Sequence, residues 1–192
     1  VRYVESIELL ISYLSKSSLV TIVVLAWLSL YFVISFTILF SRYNGLNRWI
    51  KREKQSLEAI LLGNKLENTD SVLKKCPQSN LSKERLEVFI SLAQTNSTSG
   101  LTTLAIIAST SPFIGLFGTV ISILETFAAL GQGSGAASLS VIAPAISEAL
   151  VATGCGIFVA IPAYSFNLLI KRKAYELISL IQRETNLLLS SK

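Results

Sequence analysis

The sequence predicts an all-α membrane protein: three transmembrane helices with long helical extensions expected in the cytoplasm. Three observations carry this. Of 192 residues, 51% are hydrophobic and 15% charged, which is too apolar for an ordinary soluble domain. The charges leave three long uncharged runs, and about 20 apolar residues suffice to span a bilayer as a helix. The basic residues gather in segments flanking those runs, as membrane topology signals do.

Residues 1–16 come first. Val4, Ile7, Leu10, Ile11 and Leu14 recur at helical spacing, with Arg2, Glu5 and Glu8 elsewhere on the wheel. This predicts an amphipathic helix lying at the outer membrane–water interface; the resemblance described below makes that interface periplasmic. The first uncharged run holds 25 residues, Ser17 to Ser41, and gives a first span at 17–41. It is too long for a secretory signal peptide, and no small-residue cleavage site follows it.

The second run, Val88 to Leu124, holds 37 residues. As one helix it would be about 55 Å long, more than the hydrocarbon core. Its first part, Gln94 to Ser99, is polar. The span is therefore placed at 101–125, within a cytoplasmic helical region of 42–100 whose last part, 82–100, leads into it. A connection at 126–143 contains Gly131-Gln132-Gly133-Ser134-Gly135, which reads as a flexible turn. The third run, Ala149 to Ile170, holds 22 residues. Pro144 suits the first turn of its helix, and Pro162 lies where neighbouring helices tolerate it. The third span is 144–170. Leu177, Leu180, Ile181, Leu187 and Leu188 follow the basic cluster Lys171-Arg172-Lys173 and predict that the helix continues over 171–192 and packs against neighbours.

Residues 42–87 carry ten Lys/Arg and the tail from 171 carries five, while the connection between Glu125 and Glu148 carries none. The basic segments are thus expected in the cytoplasm, with the N-terminus and the 126–143 connection outside.

Composition narrows function. Histidine is absent, which removes histidine-based catalysis and most zinc and haem sites. With no aspartate in any span, an intramembrane hydrolase has few possible nucleophile–base pairs, so no enzyme activity is expected. No cofactor or metal is expected either. The net charge of +5 is spread as topology signals rather than as a nucleic-acid footprint. Cys76 and Cys155 sit in unlike contexts and do not suggest a disulfide framework. With no methionine in the chain, Val1 is not an ordinary start, and a few residues are expected to precede it.

The chemistry-bearing positions lie in spans two and three. Ser111, Gly115, Gly118, Ser122 and Glu125 are spaced by four, three, four and three and form one small, polar stripe. Thr119 lies beside it. In span three, Ala149, Thr153, Gly156 and Ala160 form a small-residue stripe with one hydroxyl. Glu148 lines up instead with Ala145, Ala152 and Cys155. Small residues commonly serve close helix packing in membranes, and that reading is favoured for the glycines and alanines. For Thr119 and Thr153, a bond to their own helix backbone and a pathway role stand about even. A carboxylate near an apolar span is costly, so Glu148 is a candidate carrier, although its place near the outer end also suits an interfacial role. Glu125 reads as interfacial. An ion path usually needs a titratable group deep in the membrane, so either Glu148 serves or a partner supplies the carrier.

Ser-Pro-Phe-Ile-Gly-Leu-Phe-Gly-Thr-Val at 111–120, Ala-Pro-Ala-Ile-Ser-Glu-Ala-Leu-Val-Ala-Thr-Gly at 143–154 and Ile-Phe-Val-Ala-Ile-Pro-Ala at 157–163 resemble the core of the TolQ/ExbB/MotA proton-channel family. The resemblance is close over residues 100–170; the first 100 match by topology rather than by motif. The Ser-Pro-Phe-Ile-Gly-Leu start and Phe127 to Gly131 look more like the TolQ branch than the ExbB branch. Glu125 departs from the family pattern, and the cytoplasmic loop is short for it. The resemblance implies a homopentamer of the inner membrane whose second and third spans line a pore. It implies a dimeric TolR- or ExbD-like partner carrying a membrane aspartate in that pore, and a TolA- or TonB-like protein beyond it. Thr119 and Thr153 match the family's pore-lining threonines, and Glu148 its glutamate. Proton flow would then drive rotation and mechanical work on the cell envelope. A structural scaffold, with the stripes serving packing alone, is the competing expectation.

Overall fold

A computed structural model describes residues 19–62, 71–75, 82–132 and 139–190, and the secondary structure of these residues is helical throughout. The interfacial helix expected at 1–16 lies outside them. Helix α1 is Leu19–Leu61 and is followed by a 3-10 turn, Val72–Lys75. Then come α2 (Lys83–Ser97), α3 (Leu101–Gln132) and α4 (Leu139–Ser190). Three helical stretches, Leu19–Leu61, Lys83–Ala128 and Ile142–Ser190, are long and apolar enough to cross a membrane. At 43, 46 and 49 residues each exceeds what a bilayer needs, so each also has a part beyond the hydrocarbon.

The expected connection at 126–143 is largely helical. α3 runs on through Thr126, Phe127, Ala128 and Leu130 to Gln132, and α4 already begins at Leu139. Residues 126–130 contain no helix breaker, so the helix continues until the glycines, and Gly131 itself is helical. Pro144 consequently sits inside α4 rather than in its first turn.

The described residues fall into two units. The first contains 19–36, 105–132 and 139–164. Its core is small: Val24, Leu28, Ile107, Ala152, Val159 and Ala163, with Tyr31 and Phe32 packed against them. Phe32 stacks on Phe158 with ring centroids 5.8 Å apart. Trp27, Leu30, Phe113, Phe117, Phe158 and Ile161 are all more than half exposed. A surface so rich in large apolar side chains marks a lipid or protein contact.

The second unit contains 37–62, 71–75, 82–104 and 165–190. Its core joins Leu46 and Ile50 of α1, Leu73 of the turn, Leu86 of α2, Leu104 of α3 and Ile170, Leu177, Leu180 and Ile181 of α4. Full burial of such a side chain contributes about 1.5–3 kcal/mol. The predicted tail stripe is thus buried at Leu177, Leu180 and Ile181, and Leu188 packs against the same core. At the rim, Lys54 Nζ lies 2.7 Å from Glu176 Oε1 and, together with Lys173, holds the Glu176 carboxyl below its usual range.

The junction between α2 and α3 explains why the 37-residue uncharged run is not one helix. Gly100 takes φ +87°, a left-handed conformation that favours glycine. Arg42 Nη2 donates to Ser99 Oγ (2.7 Å) on one side of the break, and Asn167 Nδ2 donates to the Leu101 carbonyl (2.7 Å) on the other. A Cβ at Gly100 would lie 3.2 Å from Ile38 Cγ2. Gly100→Ala is therefore expected to destabilise the chain by about 1–2 kcal/mol. Gly45→Ala, in the interior of α1 with open space around its Cβ, should stabilise by about 0.5–1 kcal/mol. Thermal unfolding in detergent reads both, and an unchanged midpoint for Gly100→Ala would remove the conformational requirement.

Candidate functional site

In the first unit, the small stripe of α3 is a buried face. Ile107, Ser111, Gly115, Gly118 and Ser122 are all buried, at spacings of four, four, three and four. On α4, Ala149, Ala152, Gly156, Val159, Ala160 and Ala163 are buried. The two faces meet at Gly115 and Gly156. A Cβ on Gly115 would lie 2.6 Å from the Ala152 carbonyl oxygen and 3.0 Å from Thr153 Cα. One on Gly156 would lie 2.5 Å from the Ser111 carbonyl oxygen. The 2.6 and 2.5 Å approaches are below any tolerable contact, so the backbones touch because both positions are glycine. Gly118 is next along the seam, where a Cβ would meet Ala152 Cβ and Val24 Cγ1, each at 3.3 Å.

That approach brings Thr119 and Thr153 together. Their hydroxyls hydrogen-bond to each other across the helix pair. Thr119 Oγ1 also lies 3.0 Å from the Ala149 carbonyl and 3.3 Å from that of Gly115, and Thr153 Oγ1 lies 3.3 Å from the Gly115 carbonyl. Each hydroxyl has one proton to donate. Either Thr119 donates to Ala149 and accepts from Thr153, or Thr153 donates to Gly115 and accepts from Thr119. The pair is a hydrogen-bond chain with two directions. Both residues remain partly exposed. Such hydroxyls can solvate or pass on a proton but cannot hold one as a carboxylate does.

The remaining predicted positions divide clearly. Ser111 Oγ donates to the Ile107 carbonyl (2.7 Å), a bond within its own helix. Ser122 and Ala160 are buried on the same faces as the glycines. Glu148 is half-buried, next in the chain to Ala149, while Glu125 is exposed. Ala152, grouped with Glu148 on the helical wheel, is fully buried in the seam. The seam is broader than one line of residues, because Ala152 and Thr153, about 100° apart on the helix, flank Gly115 together. Among the described residues, no cluster of three or more acidic, Cys or His side chains could hold a metal.

Long apolar helices and a close-packed seam of small residues, in a chain whose described residues are helical, define a multi-span helical membrane protein. Residues 53–183 match the MotA/TolQ/ExbB proton channel family, and the chain belongs to that family. An ExbB-like biopolymer transport protein of Helicobacter pylori is 42% identical over 97% of this chain and all of its own length. The Tol-Pal system protein TolQ of Haemophilus influenzae is 57% identical over 31% of this chain and 26% of its own. The biopolymer transport protein ExbB of Neisseria gonorrhoeae is 56% identical over 33% of this chain and 29% of its own. Local identity to the two branches is thus nearly equal, and the TolQ leaning of the motifs gains nothing from it.

The seam geometry yields a contrast. Gly156→Ala should separate α3 from α4 and cost about 1–3 kcal/mol, as overpacking does. Gly154→Ala, two residues away with open space around it, should be tolerated. Detergent thermal-shift measurements on both variants decide this, and equal midpoints would contradict the close approach.

Proposed function

We propose that this chain is a TolQ/ExbB-type subunit of an inner-membrane proton channel that couples the proton motive force to mechanical work on the cell envelope. The observation that carries the reading is the Thr119–Thr153 hydroxyl pair, held across the α3–α4 seam in a chain whose only aspartate is Asp70, outside every apolar run. The hydroxyls provide a polar lining, and the proton-holding carboxylate is supplied by a dimeric TolR- or ExbD-like partner with a membrane aspartate. Around it, copies of this chain form a homopentamer, with the basic segments in the cytoplasm and the N-terminus in the periplasm. A TolA- or TonB-like protein receives the work. Glu148 stands one residue from a carbonyl of the hydroxyl network and is assigned an accessory electrostatic role at the outer end.

Full-length similarity to an ExbB-like transport protein favours energised outer-membrane import over envelope integrity as the task served. A non-conducting scaffold is the alternative, favoured by the fact that the small residues already pack within one chain.

Thr153→Val keeps the volume and removes the hydroxyl. With the partner co-reconstituted in liposomes, this variant is expected to assemble normally and lose proton flux, and cells carrying it should lose envelope coupling. Thr153→Ser should retain both. Normal flux and coupling in Thr153→Val would sink the assigned role, and purification with no partner helices and no proton-dependent activity would establish the scaffold.

A further inference from the structure

The core of the second unit contains two carboxylates that the threonine site does not use. Glu53 on α1 and Glu184 on α4 both have 0% exposure. Glu53 Oε1 accepts from Trp49 Nε1 and from the Val72 backbone amide, both at 3.0 Å. Glu184 Oε2 accepts from Ser71 Oγ at 2.6 Å, and Ser71 Oγ accepts from the Leu73 amide at 3.1 Å. The other two oxygens, Glu53 Oε2 and Glu184 Oε1, are buried and have no hydrogen-bond donor among the described residues. Both carboxylates thus hold the same three-residue segment, Ser71 to Leu73, one through the Ser71 hydroxyl and the other through the Val72 amide. Glu53 lies about 18 Å past Ser41 along α1, and Glu184 about 21 Å past Ile170 along α4, at 1.5 Å per residue. Both are outside the hydrocarbon.

Two ionised carboxylates with bare oxygens in one dry core would repel each other and lose hydration without compensation. Among the described side chains, nearby cations do not relieve them. Lys51, Arg52 and Lys54 beside Glu53, and Arg183 beside Glu184, are exposed, as are Lys83, Glu84, Arg85 and Glu87 on α2. Lys54 is engaged by Glu176 at 2.7 Å. A single proton relieves the conflict, since a protonated carboxyl is uncharged and gains a hydrogen to donate.

We propose that Glu53 and Glu184 form a proton-binding pair. One proton taken from water and shared between their orphan oxygens fastens α1 and α4 over the Ser71–Leu73 segment, and its release at alkaline pH loosens that junction. Burial first, then the neighbouring Glu53 carboxyl, outweigh the Ser71 hydrogen bond and push the Glu184 carboxyl up from 4.5 to about 8. A group raised in the folded state stabilises fully below its unfolded pKa and loses that contribution as pH rises through the folded value. The fastening is therefore intact near 4.5 and fades through about 8. Between about pH 7 and pH 9 the closed-to-open ratio falls by about tenfold.

The test uses the full chain in lipid nanodiscs. Infrared difference spectra should show the carbonyl band of a protonated buried carboxyl at neutral pH, disappearing as pH passes about 8 and absent in Glu184→Gln. Hydrogen exchange at the Val72 and Leu73 amides, corrected for its intrinsic pH dependence, should accelerate about tenfold between about pH 7 and pH 9 in the wild type. It should stay flat in Glu184→Gln, whose amide donates as the acid would. If that variant does not fold, Glu53→Gln replaces it: it removes the neighbouring carboxyl but leaves Glu184 buried, so the band should persist and both its loss and the exchange step should move to lower pH than in the wild type. No protonated-carboxyl band at neutral pH, or the same exchange step in wild type and variant, overturns the proposal.

Discussion

The backbone contact between Gly115 and Gly156 sets the terms for its surroundings. Close approach in a membrane gains nothing from the hydrophobic effect, because lipid is as apolar as the helices. It depends on dispersion and on short polar contacts, both of which fall off within fractions of an ångström. The threonine bond, the burial of Ala152 and the position of Gly118 against Val24 all follow from two missing Cβ atoms. Because the small residues are used up inward, large ones such as Phe113, Phe117 and Phe158 are left outward.

The two units solve different problems with the same helices. In the first, few apolar residues are buried and polar groups are satisfied locally, as Ser35 and Ser111 do on their own backbones. Lipid cannot provide hydrogen bonds, so each hydroxyl has to find one within the protein. In the second, the core is of Leu and Ile, and carboxylates are taken into the packing where backbone amides and hydroxyls approach them.

Fold class and the small-residue faces were legible for a physical reason: uncharged runs report helices long and apolar enough to cross a bilayer, and a three–four spacing of small residues reports a helix face. The breadth of the seam was not legible. A helical wheel assigns Ala152 and Thr153 to different lines, and only the crossing of two helices shows that both flank Gly115. Helix ends were also missed, because Gly131 reads as a turn residue although nothing before it ends the helix. The buried acids do leave a trace in the sequence. Leu46, Ile50, Glu53 and Leu57 follow each other by four, three and four, and Leu177, Ile181 and Glu184 by four and three. A carboxylate on an apolar face at that spacing announces burial.

Gly100 invites the opposite of what its chemistry suggests. A glycine between two helices is usually taken for a swivel. Here Arg42 grips the chain just before it and Asn167 just after, and Ile38 occupies the room a side chain would need. Turning the chain at this glycine would therefore mean breaking both side-chain bonds and displacing Ile38, so the residue chosen for its freedom is the one held most closely.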